Sequence, residues 1–566
     1  MYTYIKNNIN LLNYCKISFK KVLFIYVISL IITALEATGL GLLLPIGEYL
    51  LNSPNEQLLN TASWQFLYKM FNFLNISPSI TYLVVGAIFI ILIRQLFSYI
   101  KIIYSAKIQF EIARNLRNRL FSGLIEIDLK HNKSFKTGAS TNLATTEIHN
   151  ASIAGVTPFD LVSGVLLLIS YFAIMTVLSW KATLVIVLLG FIIGLLVKKL
   201  NKKLDFLSEK IIDINNIFSQ YFMERLKAIK LIKLNHRFKE ESIANKRILQ
   251  KQYDISMKVT KIYGITATGL EPVIIAILLP ILVLSVEIGV SLSILGMFAI
   301  VLARLIPTFK ALIEGIQAYI RYNASSQRIL LNLKDCQNKK EIRPGGKDFP
   351  KKFKNIKLDN ISFKYLGSKN YIFKNFSATI KSNQINAILG SSGAGKTTFI
   401  DMLPLLIQPE SGRILIDEVN TKEINIKSLR NNFAYVDQKP IFFKGSIMEN
   451  LSYSQIIKDE KKCINAAKLS RAHSFINRLP HKYDYQLGES GIGLSGGQLQ
   501  RLEIAKALST GRKIIILDEP TSNLDNQNSK IILETLFNIN KKTKITIIVI
   551  SHKKDIIKYA SNVIRL

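Results

Sequence analysis

The chain has 566 residues, a formal net charge of +35 and a hydrophobic fraction of 49%. Its apolar residues form long runs before about residue 315 and alternate with polar ones afterwards, which argues for a membrane half and a soluble half and against a soluble nucleic-acid-binding protein. Cys15, Cys336 and Cys463 stand far apart without a CxxC pair, which argues against a disulfide framework and a zinc site.

A membrane-crossing helix needs about 20 mostly apolar residues. Six segments qualify: Val22–Tyr49, Ile80–Ile103, Phe159–Ser179, Ala182–Val197, Ile262–Val286 and Ser291–Leu312. The first follows Lys20 and Lys21, is too long for a signal-peptide core, and reads as a retained helix. The connection after the second carries Lys107, Arg114, Arg117, Arg119, Lys130, Lys133 and Lys136, and the one after the fourth a lysine series from Lys198 to Lys261. By contrast, the first loop has only Lys69, the third is little more than Trp180 and Lys181, and the fifth has no base. The asymmetry puts both termini and both long connections in the cytoplasm, as expected for a multi-pass protein of the inner (cytoplasmic) membrane. There the lysines meet water and anionic lipid headgroups, so no nucleic-acid partner is expected. Apolar residues at Phe218, Phe222, Leu226, Ile229 and Ile232 keep helical spacing, so the helices should continue beyond the membrane as a stalk.

Four ionisable residues lie inside the expected spans: Glu36, Arg94, Glu271 and Arg304. Such groups are costly in lipid and face the bundle interior. They could pair with one another, or line a polar substrate path in which Arg94 and Arg304 face an anionic group. Pro45, Pro280 and Pro307 interrupt their helices.

Residues 327–350 are mostly polar, with Pro344, Gly345, Gly346 and Pro350, and read as a linker. Strand-like runs then alternate with helices, the pattern of an α/β domain. Gly390-Ser391-Ser392-Gly393-Ala394-Gly395-Lys396-Thr397 follows the apolar run Ile385–Leu389 and precedes the helix-like segment Thr398–Ile407. Strand, glycine-rich loop and helix in this order form a P-loop, whose backbone N–H groups wrap phosphates. Lys396 would reach the β and γ phosphates and Thr397 would ligate Mg2+. The buried-strand run Ile514–Leu517 ends in Asp518, placed to hold Mg2+, and Glu519, placed to polarise an attacking water.

Leu494-Ser495-Gly496-Gly497-Gln498 is similar to the signature sequence of ABC ATPases, and the other motifs then fall into register with that family. The resemblance implies that Tyr365 stacks on adenine, that Gln438 is the Q-loop glutamine near the metal, and that Asp525 closes the D-loop Ser522–Asp525. It also implies that His552 senses the γ phosphate and that Ser495 and Gly497 contact the ATP held by another copy. Thr398 belongs with the ATP-binding set. The fold it implies is a multi-domain membrane protein. An all-α six-helix exporter-type transmembrane domain, 1–326, would precede the linker and an α/β P-loop nucleotide-binding domain, 351–566. Short coupling helices are then expected near His131–Thr146 and Asp213–Arg225. The cofactors implied are ATP and Mg2+, and one set of motifs per chain implies a dimer, with a second copy or with a different chain.

Leu35–Pro45 and Arg304-Leu-Ile-Pro307 resemble lipid-linked oligosaccharide flippases. That implies ATP-driven flipping or export of an amphipathic substrate, such as a lipid-linked glycan, by alternating access. Export of a peptide or hydrophobic drug is the alternative, and an ATP-gated channel or regulator is the alternative of another class. No peptidase domain precedes the first span, which argues against an exporter that cleaves a leader peptide.

Overall fold

The computed structural model describes residues 2–43, 45–46, 80–130, 137–287, 292–341, 345–365, 368–391, 393–455, 457–488, 493–522, 524–552 and 554–566. The chain divides into two compact units, Met1–Glu126 with Ser134–Lys339, and Ile127–Lys133 with Lys340–Leu566.

The first unit is helical: α1 (Tyr2–Tyr14), α2 (Phe19–Gly41), α3 (Ile80–Ile125), α4 (Thr137–Asn142), a π-turn at Leu143–Glu147, α5 (Ile148–Leu178), α6 (Trp180–Lys227), α7 (Ile229–Leu234), α8 (Phe238–Glu287) and α9 (Leu292–Asn338). Among the described residues five helices are long and apolar enough to cross a membrane: α2, α3, the continuous run through α5, α6 and α9. The remaining expected span, Ile262–Val286, falls in α8, whose side chains there lie largely outside the described residues. The first span was expected to reach Tyr49; α2 ends at Gly41, and residues 47–79 lie outside the described residues.

The stalk follows from length. At 46 residues, α3 is about 70 Å long, against about 30 Å of hydrocarbon. α6 has 48 residues, and its helix runs unbroken through Asp213–Arg225, where a loop tip was expected. Apolar residues spaced for one helical face continue through that stretch, so nothing stops the helix before Ala228. The tip is the short α7, none of whose residues is buried. Trp180 and Lys181 belong to the first turn of α6 and not to a loop. The reversal is made by Ser179 alone, which is extended and accepts a hydrogen bond from the Ala182 N–H at 3.5 Å. α9 continues through Gln327 to Asn338, its polar surface backed by buried Ile329, Leu333 and Cys336 on one helical face.

α5 and α9 interlock. A Cβ on Gly164 would lie 2.7 Å from Leu312 Cδ2, and one on Gly315 would lie 2.8 Å from Leu161 Cδ2. Each glycine is the hole that receives the other helix's leucine, the close approach that small residues permit in membranes. Leu11, Ile25, Ile112, Leu116, Phe159 and Ile329 form a buried cluster joining α1, α2, α3, α5 and α9.

Besides a two-stranded sheet, the described residues of the second unit hold two larger ones. One is antiparallel, in the order β2 (Phe373–Lys381), β1 (Asn355–Phe363), β4 (Ser411–Ile416), β5 (Val419–Asn420). The other has the order β11 (Asn562–Arg565), β3 (Ile385–Leu389), β10 (Thr546–Ser551), β9 (Ile514–Asp518), β6 (Phe433–Val436), and every pairing in it is parallel. A parallel sheet is covered on both faces, which is why β9 and β10 read as unbroken apolar runs and are buried throughout. The helices are α10 (Lys396–Met402), α11 (Ile426–Arg430), α12 (Ile447–Ser452), α13 (Glu460–Leu469), α14 (His473–Ile476), α15 (Gly496–Ser509) and α16 (Asn526–Thr543), with the antiparallel pair β7 (Gly445–Ser446) and β8 (Gln486–Leu487) beside α12.

Candidate functional site

β3, β10, β9 and β6 are neighbours in one parallel sheet, so their C-terminal ends open on the same edge. Loops from that edge build ligand sites in α/β sheets. β3 delivers the P-loop, β10 delivers His552, β9 ends in Asp518 with Glu519 next, and β6 precedes Gln438.

The P-loop is wound tightly. Gly395 has φ 88°, and a Cβ there would lie 2.4 Å from Ile372 Cγ2 and 2.9 Å from Phe373 Cζ, so only glycine fits. The turn points Lys396 into the loop, where its buried ammonium donates to the Gly390 and Ser391 carbonyls at 3.0 and 2.9 Å. The ammonium also lies 3.1 Å from His552 Nε2. Gly393 has φ 84°, Ala394 closes a turn on Ser391, and Ser392 lies outside the described residues. The Tyr365 hydroxyl is 3.1 Å from that of Thr398, and its ring meets Phe363 edge-on.

Thr397 Oγ1 donates to Asp518 Oδ2 at 3.2 Å. Burial raises the Asp518 carboxyl pKa above the usual range, and the Thr397 hydrogen bond acts against that. A hydroxyl and a carboxylate brought together are hard oxygen donors that suit Mg2+, which takes few protein ligands beside substrate phosphates. Glu519 sits at φ 45° and is held from both sides: Gln438 Nε2 donates to one oxygen at 2.9 Å, and His552 Nε2 lies 2.5 Å from the other. Sequence reasoning missed Tyr435, whose hydroxyl donates to Asp518 at 3.4 Å. It also missed Asp401, whose carboxyl is pushed up to about 6 by burial first and then by Asp518 and Asp437. Neither stands in a motif, and the fold alone brings them here.

Ser495 caps α15 with a capping box: its N–H donates to Gln498 Oε1 at 2.8 Å, and its Oγ accepts from the Gln498 N–H at 3.4 Å. Ser495 is exposed and Gly497 buried. Asp525 caps α16, accepting from the Asn528 N–H at 2.7 Å, and the Asn528 side chain lies against Gly497. The signature and the D-loop therefore pack together.

In the first unit Glu36 on α2 is buried and ion-paired with Arg94 on α3. Tyr171 on α5 donates to the other oxygen of Glu36 at 3.1 Å. Arg304 and Thr308 on α9 line the same cavity, which has a volume of about 280 Å³. Three of the four intramembrane charges expected from sequence thus converge. The Glu271 side chain lies outside the described residues. Sequence reasoning overlooked a second pair, Lys101 Nζ to Asp160 Oδ1 at 3.0 Å, although both residues lie within expected spans.

Residues 24–305 match the family described as ABC transporter transmembrane region, and residues 373–522 match the family described as ABC transporter. The chain belongs to the ABC transporter family. This ABC transporter is 28% identical over 553 residues to the heterocyst differentiation ATP-binding protein HepA of Nostoc sp., across 96% of this chain and 89% of that one. It is 28% identical over 482 residues to the ATP-dependent lipid A-core flippase of Coxiella burnetii, across 84% and 80%. Its fold is similar to that of a bacterial Atm1-family ABC exporter solved with ATP bound, with a TM-score of 0.75, 20% identity and coverage of 97% and 94%. It is a multi-pass membrane protein that binds ATP and couples its hydrolysis to transport. The transporter carries one membrane region and one ATP-binding region, a half-transporter arrangement that suggests dimerisation.

Proposed function

We propose that this transporter flips or exports a lipid-type amphipathic substrate with an anionic head across the inner membrane, as a dimer of two identical chains. The observation that carries the substrate class is the cavity in the membrane unit, where Arg94 and Arg304 stand over apolar walls formed by Ile32, Leu167, Ala303 and Pro307. A cation set among apolar walls at membrane depth is costly unless an anion comes to it. The relatives named as lipid A-core flippases support the same class.

In this reading Glu519 is the general base, oriented by Gln438 and His552. Lys396 leaves its carbonyl partners for the β and γ phosphates, and the P-loop N–H groups of residues 390–397 wrap them. Tyr365 takes the adenine, and Thr398 fixes that ring's hydroxyl. Thr397, Asp518 and Gln438 would hold Mg2+, which when bound offsets the phosphate charge. Ser495, Gly497 and Asp525 of one copy complete the site of the other. ATP binding closes the nucleotide-binding units and turns the bundle outward, and hydrolysis resets it.

The test is ATPase activity of the purified protein in lipid nanodiscs across lipid-linked glycans, other anionic lipids, peptides and drugs. Wild type is expected to hydrolyse ATP faster with an anionic lipid. Glu519→Gln is expected to keep ATP binding and lose hydrolysis by at least about a hundredfold. Stimulation by peptides or drugs alone would overturn the substrate class. Undiminished hydrolysis in Glu519→Gln would overturn the site.

A further inference from the structure

The membrane cavity holds its own anion. Glu36 is 7% exposed, and its two oxygens are taken by Arg94 and by the Tyr171 hydroxyl. These are the bonds that the oxygens of a carboxylate or phosphate head would accept. Two features show that the internal anion is not matched to the cations around it. Among the described residues Nε of Arg94 is buried without an acceptor, and Arg304 pairs with no carboxylate. Among the described residues, with Glu36 ionised, the cavity lining therefore carries an excess of one positive charge and an unused guanidinium donor. Both favour an added anion.

The arrangement repeats along the same helices. Two turns beyond Arg94 on α3, about 10 Å, Lys101 holds Asp160 at 3.0 Å and donates to Ser163 Oγ at 2.7 Å, with Ser29 of α2 2.7 Å from Ser163. α2 presents Ser29, Thr33 and Glu36 at helical spacing, and α3 presents Arg94, Ser98 and Lys101. A polar seam thus runs between α2, α3 and α5, with an acid-held base at each end, one of them toward the basic connections.

We infer that Glu36 is an internal competitor: its carboxylate occupies Arg94 and Tyr171 until the anionic head of the substrate displaces it, so that Glu36 sets the threshold for head-group charge. The inference deepens the proposed function and rests on its anionic-head reading. It has a consequence opposite in sign to a structural role. If Glu36 only braced the bundle, removing its charge would loosen the cavity and weaken binding. As a competitor, its loss frees a part-buried guanidinium and a phenol hydroxyl for the ligand.

The experiment uses the full chain in phosphatidylcholine nanodiscs with three fluorescent probes: a short-chain phosphatidic acid, a fatty acid and the matching neutral diacylglycerol. Wild type is expected to bind the two anionic probes in preference to the neutral one. Glu36→Gln is expected to bind the anionic probes about tenfold more tightly, with the neutral probe unchanged. Tighter binding of phosphatidic acid alone would assign the seat to a phosphate head, and tighter binding of the fatty acid alone to a carboxylate; either supports the inference. Unchanged or weaker anion binding in Glu36→Gln, with wild type binding normally, would overturn it and leave the proposed substrate class standing. No anion preference in wild type would overturn both. If Glu36→Gln proves unstable to heating, Glu36→Asp, which keeps the charge but draws it one methylene back from Arg94 and Tyr171, decides: anionic probes are expected to bind more tightly than to wild type, and unchanged or weaker anion binding overturns the inference.

Discussion

Two carboxylates of the ATP-binding unit show how burial sets chemistry residue by residue. Glu519 lies at the end of β9 with its backbone in the left-handed region, a conformation that costs of order 1–3 kcal/mol for a non-glycine residue. Its N–H is tied to the Ile550 carbonyl at 3.1 Å, and its side chain to Gln438 and His552, so the strained turn is fixed from several directions. Glu503 on α15 is placed otherwise. It is 4% exposed, one oxygen accepts a 3.4 Å bond from the Ile441 N–H, and the other is buried with no close hydrogen-bond partner among the described residues. Burial pushes its carboxyl from 4.5 up to about 7, with the Ile441 hydrogen bond and Lys506 acting in the opposite direction. The folded value lies above the unfolded one, so the native state holds the extra proton between them and stability falls as pH rises through that window. The penalty reaches about 3 kcal/mol above the folded value and vanishes below the unfolded one. Glu503→Gln is therefore expected to raise the thermal midpoint of the purified protein at about pH 8 and to change it little at about pH 5. Equal shifts at both pH values would show that the carboxyl is not protonated in the fold.

At the scale of elements, the α5–α9 contact is the clearest case of sequence acting through shape. Leu312 fills the space over Gly164, and Leu161 the space over Gly315. A leucine at 164 would collide with Leu312, and overpacking of this kind costs about 1–3 kcal/mol. Gly164→Leu is expected to lower the thermal midpoint in nanodiscs, and adding Leu312→Ala to restore part of the loss, because the two changes share one space. Additive losses in the double variant would mean that the helices do not meet there. None of this complementarity was legible in the apolar runs, where glycine and leucine are equally acceptable to lipid. The motifs were legible because phosphate chemistry needs fixed residues at fixed local spacing, as in Gly395-Lys396-Thr397. Their convergence with Gln438 and His552 required the strand order. Stalk continuation was readable from Phe218, Phe222 and Leu226, but its end was not. No breaker marks Ala228, and the turn is made by backbone geometry. Lys101 and Asp160 sat in plain text within apolar runs, yet their pairing needed α3 and α5 side by side.

For the molecule as a whole, the placement of Ser495 decides what a single chain can do. Among the described residues its side chain is engaged only by its own capping box, and it is exposed at a helix N-terminus where N–H groups favour an anion. Lys396, by contrast, is buried in the P-loop of the same unit. If each ATP is held between the P-loop of one copy and the signature of the other, damage to the two elements should complement between chains. Lys396→Ala and Ser495→Arg are each expected to abolish hydrolysis when purified alone. Co-assembled from differently tagged chains and isolated through both tags, the mixed dimer has one site with both defects and one with neither. It should recover a measurable fraction of wild-type ATP hydrolysis. A doubly tagged dimer as inactive as its parents, and equally unable to occlude ATP, would mean that the two elements do not act in trans. A hydrolysing Ser495→Arg homodimer would mean that the exposed serine is no part of the site.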